Sequence, residues 1–383
     1  MKRYVRVIAL LGALALVLAA CGDGEGGDST TTSEAVEETT TTEAVVDDTT
    51  TTQPAFEGEP VAVCLVTDLA GVDDRSFNAA AWAGVLQAVA DGGAAPEPLL
   101  LESDEQADYQ PNIDQCISQG AEHIVTVGFE LGDATASNAA ANPDINFTIV
   151  DFAYNPEIPN VRGLVYQTDE AAFAAGYLAA GVSTSGVVGT YGGLNIPPVA
   201  IFMDGFAKGV AHYNEVKSAD VRVIGWNIDT VDGTFTGTFD PADPLVRSTC
   251  ESILDEGADI MLPVGGAINL PCGTAIQDRQ IDAALIGVDQ DAFLAAPAEY
   301  QNLWLTTIEK GIAIQVMRSI FDQANGEWTP GVANGTLENQ GVGISEFHSW
   351  ADRVPADLAA EVEQILADIA SGALDFPRYA PAG

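Results

Sequence analysis

From residue 61 onward, short apolar runs rich in β-branched residues alternate with longer segments whose apolar residues recur at helical spacing. This alternation constrains the fold more than any other feature of the chain. Strands that each need a helix to reach the next one become parallel βαβ units with right-handed crossovers. The first unit shows the design. Residues 61–66 (VAVCLV) are a buried strand, and Thr67, Asp68, Ala70 and Gly71 end it in a polar loop. Ser76 then stands at an N-cap position, and Phe77, Ala81, Trp82, Val85, Leu86 and Val89 mark one face of a helix.

The pattern continues with strands at 98–102, 123–127, 146–152 and 161–166 and helices at 109–119, 133–142 and 169–182. It then begins anew, with strands at 186–190, 221–226, 259–263, 283–288 and 303–306 and helices at 199–213, 241–256, near 273–279 and at 307–324. A late strand at 341–346 and a closing helix at 357–370 complete it. Two similar α/β lobes imply a cleft between them, and clefts between domains are preferred small-molecule sites. The expectation is two doubly wound parallel-sheet lobes joined by a hinge with several strand crossings.

In open parallel sheets ligands sit beyond the carboxyl ends of the strands, where helix N-termini converge. Asp68, Asp73, Asp74, Ser76 and Asn78 fall at that place in the first unit. Carboxylates, a hydroxyl and an amide suit a neutral polyhydroxyl or heterocyclic ligand better than a phosphate, and no glycine-rich phosphate cradle is present. Helix capping alone would also explain Asp74 and Ser76.

The chain begins with a basic stretch (Lys2, Arg3, Arg6), an apolar run at 7–17 and Leu18-Ala19-Ala20-Cys21. The apolar run is too short for a permanent membrane span, and small residues precede the cysteine. Residues 1–20 therefore read as a signal peptide, and the motif resembles a bacterial lipobox with Cys21 as the lipidated residue. Residues 21–60 form a threonine- and acid-rich tether without a basic residue, too polar to bury a core. Removing the leader takes three of the 14 basic residues and no acidic one, leaving 11 against 56, a balance of −45. Such a surface repels nucleic acid and anionic lipid.

Four cysteines remain, Cys64, Cys116, Cys250 and Cys272, and an even count outside the cytoplasm favours disulfides. Three connectivities are open; Cys64 with Cys116 and Cys250 with Cys272 would keep each bridge within one lobe. No CxxC is present and His123, His212 and His348 are scattered, so neither zinc nor any other metal or cofactor is expected.

The run Asp68-Leu69-Ala70-Gly71-Val72-Asp73-Asp74-Arg75-Ser76-Phe77-Asn78 resembles the signature of the basic membrane protein family of ABC-transporter substrate-binding lipoproteins, which includes purine nucleoside receptors. Ala70 replaces one of the usual loop glycines. Further family-like segments lie at 146–151, 160–180, 192–209, 239–241, 257–259, 287–291 and 306–310, and the resemblance covers residues 61–377. It implies a type I periplasmic-binding-protein fold, with an N-terminal lobe of residues 61–165 plus roughly 290–345 and a C-terminal lobe of residues 166–289 plus roughly 346–383.

The resemblance also implies a nucleoside ligand, purine favoured. Asn78 and Asp151 would take the base edge, Phe239 and Phe129 would stack on the ring, and Asp289 would accept from two ribose hydroxyls with Lys310 as its partner. Asp68, Ser76, Phe77 and Gly265 complete the expected set. The loop at 264–269 and Ala292 depart from the family pattern and leave the identity of the ligand less defined than its class. A lipid-anchored monomer on the extracytoplasmic face of the cell membrane, serving an ABC permease, is the leading expectation. A receptor coupled to a sensor and a secreted nucleoside hydrolase using Asp289 and Asp291 are the alternatives. No Gly-x-Ser-x-Gly, His-Glu-x-x-His or P-loop supports an enzyme.

Overall fold

The computed structural model describes residues 58–381. The leader, Cys21 and nearly all of the tether lie outside the described residues. The chain opens with β1 (Val63–Val66), α1 (Phe77–Ala90), β2 (Leu99–Leu101), α2 (Tyr109–Ser118), β3 (His123–Val127), α3 (Gly132–Ala141), β4 (Asn146–Val150) and β5 (Val161–Tyr166). It continues through α4 (Thr168–Val182), β6 (Val187–Gly192), α5 (Pro197–Lys217), β7 (Arg222–Ile224), a small hairpin β8 (Trp226–Asn227) and β9 (Asp232–Gly233), and α6 (Pro244–Asp255). Next come β10 (Ile260–Val264), α7 (Asn269–Arg279), β11 (Ala284–Asp289), α8 (Ala292–Ala295), β12 (Trp304–Lys310), α9 (Ile312–Ala324), β13 (Gly331–Gly335), β14 (Val342–Ile344) and α10 (Ala356–Ser371). Among the described residues no helix is long and apolar enough to cross a membrane.

Two six-stranded sheets result, in the orders β13-β5-β4-β3-β1-β2 and β14-β12-β11-β10-β6-β7. Every pairing in them is parallel except β12 with β14. The inner strands are buried along their whole length, as sheets covered on both faces require. In the first lobe α1 and α9 cover one face, and α2 and α3 the other. In the second lobe α4 and α5 cover one face, α6 and α7 the other, and α10 packs on α4. Cys64 on β1 is bonded to Cys116 on α2 (S–S 2.01 Å), and Cys250 on α6 to Cys272 on α7 (1.97 Å). Each bridge therefore ties a helix inside one lobe.

Three differences from the sequence-based expectations matter for the site. Residues 307–310 continue β12 instead of starting a helix, because β11 and β14 pair with them on both sides; α9 starts only at Ile312. The lobe boundaries move with it. Residues 290–310 and β14 belong to the second sheet, while α9 and the unforeseen strand β13 return to the first. The chain thus crosses between lobes at 166–168, 310–312 and 335–342. These crossings touch: Gln167 N donates to Gly335 O (2.8 Å) and Gly311 N to Gly341 O (2.8 Å). A Cβ on Gly341 would stand 2.3 Å from the Gly335 Cα, so the node closes only because both residues lack a side chain.

Candidate functional site

The carboxyl ends of both sheets face one hollow of about 520 Å³, the part open to solvent included. Asp68, Phe77, Asn78, Phe129, Asp151, Phe239, Gly265, Asp289 and Lys310 all line it. Ser76 does not. Sequence reasoning missed Ile196, Pro198, Val199 and Phe202, which form an apolar wall at the start of α5. Their apolarity reads as core packing, and only the glycine pair before them, Gly192-Gly193, marks that loop as a strand end.

On the first lobe the polar groups are tied together. Asp74, not Ser76, caps α1: its carboxylate accepts from the N–H groups of Ser76 (2.9 Å), Asn78 (2.8 Å) and Ala79 (3.1 Å). Burial pushes the Asp74 carboxyl up, and these bonds oppose it. Asn78 Nδ2 donates to Asp68 Oδ1 (2.7 Å) and to Asp74 Oδ2 (3.1 Å). Two flanking carboxylates fix the orientation of the amide, since only its nitrogen can donate to them. Asn78 Oδ1 is left buried without a partner. Asp68 also accepts from Ala70 N (3.1 Å), and burial pushes its carboxyl up to about 7 against these bonds.

The far end of the hollow is ionic. Lys310 Nζ lies 2.7 Å from Asp151 Oδ2 and 3.6 Å from Asp289 Oδ1, with all three side chains under a tenth exposed. Burial alone would pull the ammonium down; Asp151 and Asp289 outweigh it and hold its pKa up. The rings of Phe77, Tyr166 and Phe202 surround the same ammonium at 5.2, 5.5 and 5.0 Å. Asp151 and Asp289 end equivalent strands of the two lobes, β4 and β11, and both take left-handed backbone angles (φ 64° and 72°) that re-aim the chain at the strand end.

Gly128 and Gly265 are equivalent too, following β3 and β10 with φ of 120° and 143°. A Cβ on Gly265 would meet the Phe239 ring at 2.6 Å, so the ring lies directly on the loop backbone. Phe129 leans on Phe152, ring centroids 5.1 Å apart. Asp291 lies outside the hollow. It caps α8 through Phe293 N (3.0 Å) and pairs with His348 Nε2 at 2.6 Å, which removes it as a partner of Asp289 in hydrolysis or metal binding. Among the described residues no group of three or more His, Cys, Asp or Glu side chains could hold a metal ion.

Residues 61–371 match the family described as Bmp, ABC transporter substrate-binding protein PnrA-like. This chain belongs to the Bmp family. Among curated relatives, it is 26% identical over 330 residues to the ABC transporter nucleoside-binding protein BmpA of Lactococcus lactis subsp. cremoris, covering 82% of this chain and 88% of that one. It is equally 26% identical to basic membrane protein A1 of Borrelia garinii subsp. bavariensis, over 84% and 90% of the two chains. A solved solute-binding protein of an ABC transporter system from Aeropyrum pernix K1 superposes with a TM-score of 0.74 at 23% identity, covering 84% of this chain and 94% of its own. The fold of this Bmp-family chain is accordingly that of ABC solute-binding proteins, and its family role is that of an ABC-transporter substrate-binding component.

Proposed function

We propose that the protein captures a nucleoside, purine favoured, between its lobes and delivers it to an ABC permease. The observation that carries this reading is the buried Asn78 Oδ1, an acceptor without a partner in a hollow lined by four phenylalanines and closed at its far end by two carboxylates around a lysine. A buried acceptor costs about 1–3 kcal/mol unless a donor reaches it, and a base N–H supplies one. The rings of Phe77, Phe129, Phe202 and Phe239 offer a flat apolar solute its stacking surface, and Asp289 with Lys310 suits vicinal hydroxyls. The name of the Lactococcus relative points the same way.

The remaining parts fit the same role. Cys21 as a lipid anchor and the threonine- and acid-rich residues 21–60 as a tether would hold a monomeric receptor at the outer face of the membrane, and the acidic surface argues against nucleic acid as a partner. Calorimetry with guanosine, inosine, adenosine, cytidine, ribose and amino acids, on protein unfolded and refolded to strip carried ligand, tests the reading. Binding confined to nucleosides supports it. Binding of amino acids or free sugars alone overturns it, as does release of free base during incubation with inosine.

A further inference from the structure

Ser76 belongs to the first lobe but spends its side chain on the second. Asp74 already satisfies the first N–H groups of α1, and the Ser76 hydroxyl makes no capping bond to the helix it precedes. Its backbone (φ −148°, ψ −106°) instead aims Oγ across the cleft. There it stands 2.9 Å from Asp289 Oδ2 and 3.0 Å from Val288 O, two acceptors at the end of β11. One hydroxyl proton serves both. The residue is 3% exposed and does not line the hollow, so a seated solute has no access to it.

We propose that Ser76 is a cross-lobe latch: a positioning residue that fixes the Asp289 carboxylate only when the lobes are closed, so that closure and the anchoring of the solute become one event. Asp289 has two oxygens with different duties. Lys310, which adjoins the crossing at 310–312 and shares the second sheet with Asp289, faces Oδ1 from within that lobe at 3.6 Å. Oδ2 takes its bond from the opposite lobe. When the lobes part, Oδ2 and the Val288 carbonyl lose this donor together, and the carboxylate is free to turn. A neighbouring contact, Arg75 Nη1 to Ala295 O at 3.4 Å, also spans the cleft but is exposed and long, and it ends on a backbone carbonyl that sets no side chain. The inference concerns closure and does not depend on which solute is held.

The test therefore starts without ligand. Spin labels at Gln119→Cys and Glu256→Cys, one exposed site on each lobe, report the interlobe distance in the full-length protein with its disulfides intact. Ser76→Ala should shift the ligand-free distribution toward longer distances, and Ser76→Thr, which keeps the hydroxyl, should restore it. For whichever nucleoside the parent binds, Ser76→Ala should speed dissociation about threefold to tenfold, the worth of one ordinary hydrogen bond, and leave the association rate unchanged. In an Asp289→Ala background the same substitution should have a smaller effect, since only the bond to the Val288 carbonyl remains to be lost. Matching unfolding midpoints for Ser76→Ala and Ser76→Thr establish that the shift is not a folding defect. Superimposable distance distributions for the parent and Ser76→Ala would overturn the proposal, as would an undiminished effect on dissociation without Asp289. Failure of every nucleoside to bind would leave the distance measurement standing and count only against the ligand.

Discussion

The loop after β1 and the loop after β6 hold equivalent places in two sheets of the same strand order, yet their chemistry is opposite. The first brings Asp68, Asp74 and Asn78 to the hollow; the second brings Ile196, Pro198 and Val199, backed by Phe202. Elsewhere the halves agree. A glycine with positive φ follows β3 and β10, and an aspartate with left-handed φ ends β4 and β11. Duplication of the lobe thus supplies a matched pair of acids around one lysine, while divergence of a single loop makes one wall hydrogen-bonding and the other apolar. A solute held between such walls has one orientation only, because its polar edge cannot turn to the apolar side without leaving buried groups unpaired.

The largest test of this comparison removes what the halves share. Lys310→Met leaves Asp151 and Asp289 buried with no cation between them, and it should cost about 3–5 kcal/mol of stability in urea unfolding, since breaking a buried pair strands a charge. An unchanged midpoint would mean that the matched acids do not depend on the common lysine. Next in size, Asp289→Ala should weaken nucleoside affinity by about 1.5–3 kcal/mol in calorimetry, the range for charge-assisted bonds. Phe239→Ala, on the apolar side, should cost less, about 0.5–1.5 kcal/mol for a lost stacking partner. A reversal of that order would locate the anchoring on the rings instead of the acids.

A further test is the pH dependence that Asp68 brings to the polar wall. Asp68 has a folded-state pKa of about 7 against an ordinary 3.8, so its protonated form favours the folded chain. That contribution is complete below about pH 4 and is lost as pH rises through 7. Asp68→Asn should flatten this part of the stability profile and raise the unfolding midpoint relative to the parent at pH 8. A profile identical to the parent's would place the proton elsewhere.

Much of this body is legible in the amino-acid sequence. The strands His123–Val127 and Val161–Tyr166 stand where their β-branched runs place them, because they are buried on both sides and local pattern and tertiary demand agree. At 307–310 the two conflict: the segment reads as the start of a helix, and pairing with β11 and β14 makes it strand. β13 escaped notice because Gly331-Val332-Ala333-Asn334-Gly335 has neither alternation nor bulk; it is a strand through its neighbour β5 alone. Within the site, charged and aromatic residues at strand ends could be picked out singly. Two roles could not. That Phe202 faces the hollow depends on where α5 starts relative to the cleft, and that Ser76 reaches the other lobe depends on Asp74 having taken over the cap.

The ionic end of the hollow also sorts solutes by charge before it sorts them by shape. Among the described residues its one lining cation, Lys310, is already divided between Asp151 and Asp289, so a phosphate ester would bring two further negative charges to a site whose counter-ion is already spent.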